Sequence, residues 1–355
     1  MKKEVTIYST TKLYVGIDVH KKQWSVSIYT GQIHHRTFSQ LPSPKVLRSY
    51  IESHFPGSKV TCAYEATCFG WWIARELESY GYECLVVNPA DIPTTSNENQ
   101  NKTDKIDSRK IAKTLQAGLL RSSYIPDEQL EGDRQLIRYR KRLWSDLVRV
   151  KNRIKGTLRF SGVQLPEEYD NAYWTKAFLR WLREVPLPSG STRITVDSLL
   201  DQYHQLYSHH LKVSREVRGL LKKSRYTKSG KLLQGIPGIG PLTSIQLLVE
   251  LGEIDRFANF KSLNSFIGFK PSTYSSGEHD WKGHMTIRRH NALRSALIEG
   301  AWQAVQKDPA LLVRYEELIK RMTKKRAIVV IARKLLSRIY YVLKYEEPYE
   351  IGLVA

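Results

Sequence analysis

Apolar and polar positions change period along this chain, and the changes mark its elements. Residues Leu13 to Val19 form an apolar run that predicts a buried strand. Trp24-Ser25-Val26-Ser27-Ile28-Tyr29 alternates with period two, the pattern of a half-buried strand. Thr30-Gly31-Gln32 is a turn signal, and Ile33 to Phe38 forms the return strand. Helical spacing follows over Ser43 to His54 and again over Trp71 to Tyr80, where Gly81 supplies a C-terminal stop. Val60 to Ala66 and Cys84 to Val87 read as strands, the latter ended by Asn88-Pro89. A third helix is predicted over Asp104 to Leu120.

From about Asp127 the pattern changes. Leu143, Leu147, Val150, Ile154 and Leu158 make one apolar stripe on a long helix. A second long helical segment runs from about Val196 to Lys223, so the two predict a coiled-coil arm. Phe160 to Ser191 carries no clear pattern. Gly235-Ile236-Pro237-Gly238-Ile239-Gly240 resembles the turn of a helix-hairpin-helix. Gly240-Pro241 then opens a helix that runs to Glu250 and stops at Gly252. Gly268 to Gly277 reads as a polar loop, and Pro309 to Lys344 as a helical tail.

A three-strand meander followed by alternating helix and strand is the element order of an α/β ribonuclease-H-like (RuvC-like) domain. The expected organisation is therefore such a domain over 1–126, a helical coiled-coil arm over 127–228, and a mainly α C-terminal domain over 229–355.

Charge narrows the partner. Lys plus Arg number 56 against 35 Asp plus Glu, a net +21. The excess is clustered: between Arg138 and Arg159 there are nine basic residues and one acidic residue. Lys320, Arg321, Lys324, Lys325 and Arg326 form a second cluster. Such clustering predicts a polyanionic partner, with Arg149, Lys151 and Arg153 touching nucleic-acid backbone. The three cysteines, Cys62, Cys68 and Cys84, lack metal-ligand spacing and fit a reducing cytoplasm. No apolar run is long enough to span a bilayer, so a cytoplasmic protein without a membrane partner is expected.

Candidate chemistry sits on carboxylates. Asp18 ends the first strand and Glu65 the fourth, while Asp104 and Asp107 are three apart on one helix face. A lone strand-end Asp is most simply a residue facing water. Four acids in strand–strand–helix order supply the hard oxygen ligands that two-metal phosphoryl chemistry needs. Lys102 and Arg109 flank the helical pair as candidate phosphate contacts. Gly238 and Gly240 permit close backbone approach to a phosphate at a helix N-terminus. In the loop, Ser276 reads as a phosphate contact, a nucleophile, or part of a plain solvated turn. Lys282, Arg288 and Arg289 follow it as candidate neutralising charges.

These pieces together resemble one family: insertion-sequence transposases with an N-terminal DEDD RuvC-like domain and a C-terminal serine-bearing domain. The pilin-gene invertases are relatives. The match rests on Val15-Gly16-Ile17-Asp18-Val19-His20-Lys21, Tyr64-Glu65-Ala66-Thr67 and Lys102 to Arg109. It continues with Ile236 to Gly240, Gly268 to Pro271 and Tyr274-Ser275-Ser276-Gly277. Cys68 stands where relatives often have glycine. The resemblance implies Mg²⁺ at Asp18, Glu65, Asp104 and Asp107, and Ser276 as the catalytic serine, with Ser275 its neighbour. It implies donor and target DNA, a non-coding bridge RNA as guide, and a homo-oligomer in which the two halves meet across subunits. Two other readings compete. One is a RuvC-like endonuclease hydrolysing branched DNA with metal-activated water. The other is a non-catalytic nucleic-acid-binding protein, against which the presence of all four acids argues.

Overall fold

The computed structural model describes residues 11–93, 103–171, 173–276, 279–285 and 289–352, the stretch 271–285 by its backbone alone. The chain divides into two compact units, one ending at Asp127 and one starting at Glu128.

The first unit is a five-stranded sheet in the order β3-β2-β1-β4-β5. Its strands are β1 (Lys12–Val19), β2 (Trp24–Thr30), β3 (Ile33–Gln40), β4 (Lys59–Glu65) and β5 (Glu83–Val87). β1, β2 and β3 form the antiparallel meander, and β4 and β5 run parallel to β1. Among the described residues, three α-helices cover it: α1 (Pro44–His54), α2 (Trp72–Ser79) and α3 (Asp104–Gln116). The last ends one turn short of the expected Leu120.

Strand pleating sorts side chains to two faces. Leu13, Val15, Ile17, Val26, Ile28, Cys62 and Tyr64 face α1 and α2 in one core with Leu47, Ile51, Ile73 and Leu77. Ala63 and Val87 pack with Ile111 and Leu115 of α3 on the other face. That second face is built of small residues. Ser25 and Ser27 are buried, and both lie within hydrogen-bond distance of the Ser108 hydroxyl of α3, at 3.1 and 2.9 Å. The alternation in β2 therefore marks two buried faces, one apolar and one hydroxyl-lined, and not the half-buried strand expected. Gly16 is the closest approach: a Cβ there would lie 2.2 Å from the Ser108 carbonyl oxygen and 2.4 Å from the Ala112 nitrogen.

The second unit is mostly helical. α4 (Glu128–Phe160) and α6 (Gly190–Gly219) pack side by side, with α5 (Lys176–Glu184) between them in sequence. Leu147, Val150, Ile154 and Leu158 meet Val196, Leu200 and Tyr203, while Arg140 reaches Ser214, so the two long helices run antiparallel. The patternless stretch after Phe160 supplies Trp174, Phe178, Trp181 and Leu182 to the same core. Then come α7 (Ser224–Gln234), α8 (Pro241–Leu251) and α9 (Phe260–Ile267). They are followed by the hairpin β6 (Pro271–Ser276) and β7 (His279–Met285), then α10 (Asn291–Lys307), α11 (Pro309–Ile319) and α12 (Lys324–Tyr345). The expected loop at 268–277 is thus largely a strand, because pairing with β7 extends it. The expected continuous tail breaks between Ile319 and Lys324. No helix among the described residues is long and apolar enough to cross a membrane.

Arginines tie the base of α4 to α8. Arg134 donates to the Val249 and Glu250 carbonyls at 2.9 and 3.3 Å, satisfying C-terminal groups of α8. Arg138 makes a two-pronged bond to the buried Glu250 carboxylate at 2.9 and 2.7 Å. His290 joins at 3.3 Å. Burial alone would raise the Glu250 carboxyl, but the bonds from His290 and Arg138 outweigh it and hold it down to about 2.

Two outcomes follow from these contacts. Gly16→Ala must push α3 off the sheet, since the obstructing atoms are backbone; we expect a loss of about 1–3 kcal/mol in urea unfolding of the first unit. Glu250 has a depressed pKa, so its contribution is complete above the ordinary glutamate value and disappears as pH falls toward about 2. Glu250→Gln is expected to destabilise the second unit by roughly 2–3 kcal/mol at neutral pH, below the range for a fully buried pair because Arg138 is half exposed. It should also flatten the acid limb of the stability curve, read by urea midpoints from pH 7 to 2.

Candidate metal centre and nucleic-acid interface

The first-unit site forms at the carboxyl ends of the parallel strands. Asp18 is two residues on from Gly16 and shares its α3-facing side of β1. Glu65 is two on from Ala63 and shares the same side of β4. The β1–β4 register ends at Ile17↔Tyr64, so Asp18 and Glu65 stand at the next step on adjacent strands. α3 enters over this edge. Thr103 caps it, accepting from the Ile106 amide, and Asp104 and Asp107 occupy its first turn, where the helix dipole favours negative charge.

Asp18, His20 and Asp104 each place a donor atom so that all lie within 4.8 Å of one another. His20 Nε2 is 3.2 Å from Asp18 Oδ2 and 3.7 Å from Asp104 Oδ1. Glu65 and Asp107 are not in that trio. Asp107 is nonetheless near enough for its charge to act on Asp18. Burial pushes the Asp18 carboxyl above the ordinary aspartate value; His20 opposes this, and Asp104 and Asp107 add to it. Crowded carboxylates that destabilise one another are the donor set that a divalent cation relieves. The sequence reading does not include His20, whose spacing of two from Asp18 alone does not mark it out.

The expected phosphate contacts divide. Lys102 and Arg288 lie outside the described residues, as do the side chains of Ser275, Ser276 and Lys282. The backbone places Ser276 as the last residue of β6, paired with His279 beside the hairpin tip. Arg109 is exposed, but its charge acts on Tyr29 and His34, toward the end of β2 away from the Asp18–Ser25 pair. Arg149 and Arg153 are exposed, Arg149 paired with Asp146 at 2.6 Å. Lys151 is half-buried, its Nζ 5.4–5.8 Å from the ring centroids of Trp174, Trp144 and Tyr203. Burial, with Lys155 adding, lowers its ammonium below the ordinary lysine value. Lys151 therefore lies against the aromatic cluster of the arm and is the least exposed of the three.

Gly238 is left-handed at φ 86°, and a Cβ there would lie 2.1 Å from the Gly300 carbonyl of α10. That close approach is to protein. Gly240, by contrast, has open space around it at the start of α8. Arg289 is exposed and donates to Asn291 at 2.6 Å. Lys320, Arg321, Lys324, Lys325 and Arg326 are all exposed where α11 gives way to α12. Three of them sit in the first turn of α12, where the helix dipole disfavours cations and favours a bound anion.

A mixed sheet with an acidic carboxyl edge, in a chain whose other unit is helical and basic, is compatible with a polynucleotide-directed enzyme of the ribonuclease-H-like kind. Comparison with known proteins agrees. Residues 15–162 match the IS110-type DEDD transposase domain, and residues 230–316 match the transposase IS116/IS110/IS902 family. A transposase-like protein of Sinorhizobium fredii, y4rJ, is 30% identical over 78% of this chain and 75% of its own length. The transposase for insertion sequence element IS1111A of Coxiella burnetii is 23% identical over 95% of this chain and 91% of its own length. The pilin gene-inverting protein of Moraxella lacunata is 24% identical over 96% and 98%. The chain belongs to the IS116/IS110/IS902 family of transposases, enzymes that cut and rejoin DNA. A DEDD domain of this type implies dependence on a divalent metal.

The raised Asp18 carboxyl has a testable consequence. Its ionised form costs folding energy at pH values above the ordinary aspartate range, and the cost fades below it. In chelator at pH 7, Asp18→Asn is expected to unfold at higher temperature than the unsubstituted chain. The gap should close on acidification, and saturating divalent metal should stabilise the unsubstituted chain more than the variant.

Proposed function

We propose that this transposase cuts and rejoins DNA with Mg²⁺ held by Asp18, Glu65, Asp104 and Asp107, with Ser276 as its nucleophile and a bridge RNA as its guide. The observation that carries the reading is the meeting of Asp18 and Asp104 at the open carboxyl edge of the sheet. The fold brings them there from opposite ends of the first unit. All-oxygen ligands suit a hard ion. Bound there, Mg²⁺ supplies positive charge against the scissile phosphate.

The chain's own residues perform the exchange. The Ser276 hydroxyl gives up its proton as its oxygen attacks phosphorus; the P–O3′ bond breaks, leaving a 5′-phosphoserine and a 3′-oxygen that takes up a proton to become a 3′-hydroxyl. A 3′-hydroxyl of the other strand then attacks that phosphoserine and releases the serine. One phosphoester replaces another at each step, so no nucleotide cofactor is consumed. Support for Ser276 is the Tyr274-Ser275-Ser276-Gly277 motif, its place at the end of β6, and the family match across 230–316. Support for an RNA and DNA surface is the exposed set Arg149, Arg153 and Lys320 to Arg326. Work on donor and target DNA in a homo-oligomer follows the family resemblance.

A nicked suicide substrate resolved on denaturing gels tests the chemistry. Asp104→Asn is expected to cut at least about 10²-fold more slowly while still binding nucleic acid. Ser276→Ala should abolish the protein–DNA adduct, and Ser275→Ala should be milder. Hydrolysed product without an adduct in the unsubstituted protein would instead favour the metal-dependent nuclease. An adduct lost only in Ser275→Ala would move the nucleophile by one residue.

A further inference from the structure

We infer that His20 is a direct, nitrogen-donating ligand of the divalent metal, alongside Asp18 and Asp104. This rests on the proposal that the acidic edge holds a metal, and adds to it a ligand outside the four acids. His20 follows β1 directly and is two residues on from Asp18. Its Nε2 stands 3.2 Å from one carboxylate oxygen and 3.7 Å from another that comes from a different element. Neighbouring ligands on an octahedral ion with bonds of about 2.1 Å stand about 3 Å apart. His20 therefore already stands at nearly the spacing of a ligand sharing one ion with each carboxylate.

An imidazole that carries its proton on Nδ1 can offer its Nε2 lone pair to a metal. Asp18 is the sheltered member, with 17% of its side chain exposed, while His20 and Asp104 are about half exposed. An ion at their meeting point would be held from the sheet side by Asp18 and remain open toward solvent, where a phosphate could approach. Carboxylates alone favour Mg²⁺; an imidazole shifts the preference toward ions that accept nitrogen more readily, following the usual divalent order. The competing arrangement is an ion pair, in which His20 only donates to the two carboxylates and swings out when a metal arrives.

Mn²⁺ is the probe, because it takes the place of Mg²⁺ and is paramagnetic. The full chain loaded with Mn²⁺ is examined by electron spin-echo envelope modulation, beside His20→Gln and Asp18→Asn. Directly bound imidazole should give ¹⁴N modulation that converts to the ¹⁵N pattern on ¹⁵N-histidine labelling and disappears in His20→Gln. That variant should still bind Mn²⁺, at least about tenfold more weakly, with a smaller loss for Mg²⁺. Mn²⁺ that binds in an Asp18-dependent way but shows no nitrogen modulation would overturn the role of His20 and leave the acidic site standing. Nitrogen modulation that persists in His20→Gln would likewise overturn it. Absence of Asp18-dependent Mn²⁺ binding would overturn both the ligand and the site it rests on. Circular dichroism of each variant confirms that a lost signal is not lost folding.

Discussion

The seat of α3 on the sheet is the contact on which the first unit depends. A helix normally rests on a sheet through bulky side chains. Here Gly16, Ser25, Ser27 and Ala63 leave no bulk, and the helix backbone comes down onto β1 itself. Two consequences follow together. Ser108 sinks between two buried serines and satisfies their hydroxyls. Asp104, one turn earlier, arrives beside Asp18. Removing the space at Gly16 would spoil packing and site with one atom, so the glycine beside the catalytic-type aspartate is a steric requirement and not a spacer.

Charge in the second unit is divided between structure and surface. Arg134 and Arg138 are consumed at the junction of α4 with α8, where they satisfy helix carbonyls and a buried glutamate. Lys151 is consumed by three aromatic rings. Arg149, Arg153 and the cluster from Lys320 to Arg326 remain exposed. A count of basic residues along α4 thus overstates its polyanion-binding face, since Arg134, Arg138, Arg140 and Lys151 all make contacts within the unit. The bond from His290 to Glu250 matters for the same reason. It pins the N-terminus of α10 to the base of the long helical hairpin.

The acidic edge trades stability for chemistry. Asp18 is sheltered, pressed by Asp104 and Asp107, and only partly relieved by His20. A fold selected for stability alone would not keep these carboxylates together. Their meeting at the carboxyl ends of the strands is what a metal-dependent phosphodiester enzyme requires.

By itself the sequence determined the succession of strands and helices in the first unit, the positions of its acidic residues, the two long helices and the family. Those features are local: strand period, helical stripe, caps and short motifs are written within a few residues of one another. Tertiary structure decided the rest. Whether the serines of β2 face water or a helix depends on α3, which lies about eighty residues away in sequence, as Ser25 and Ser27 pairing with Ser108 shows. Whether 268–277 is a loop or a strand depends on pairing with β7. Whether Lys151 meets phosphate or indole depends on Trp174, in a stretch without pattern. His20 became a candidate ligand only when α3 delivered Asp104 to it. The reason is common to all four. A residue's chemistry follows from what surrounds it, and neighbours distant in sequence leave no local period to read.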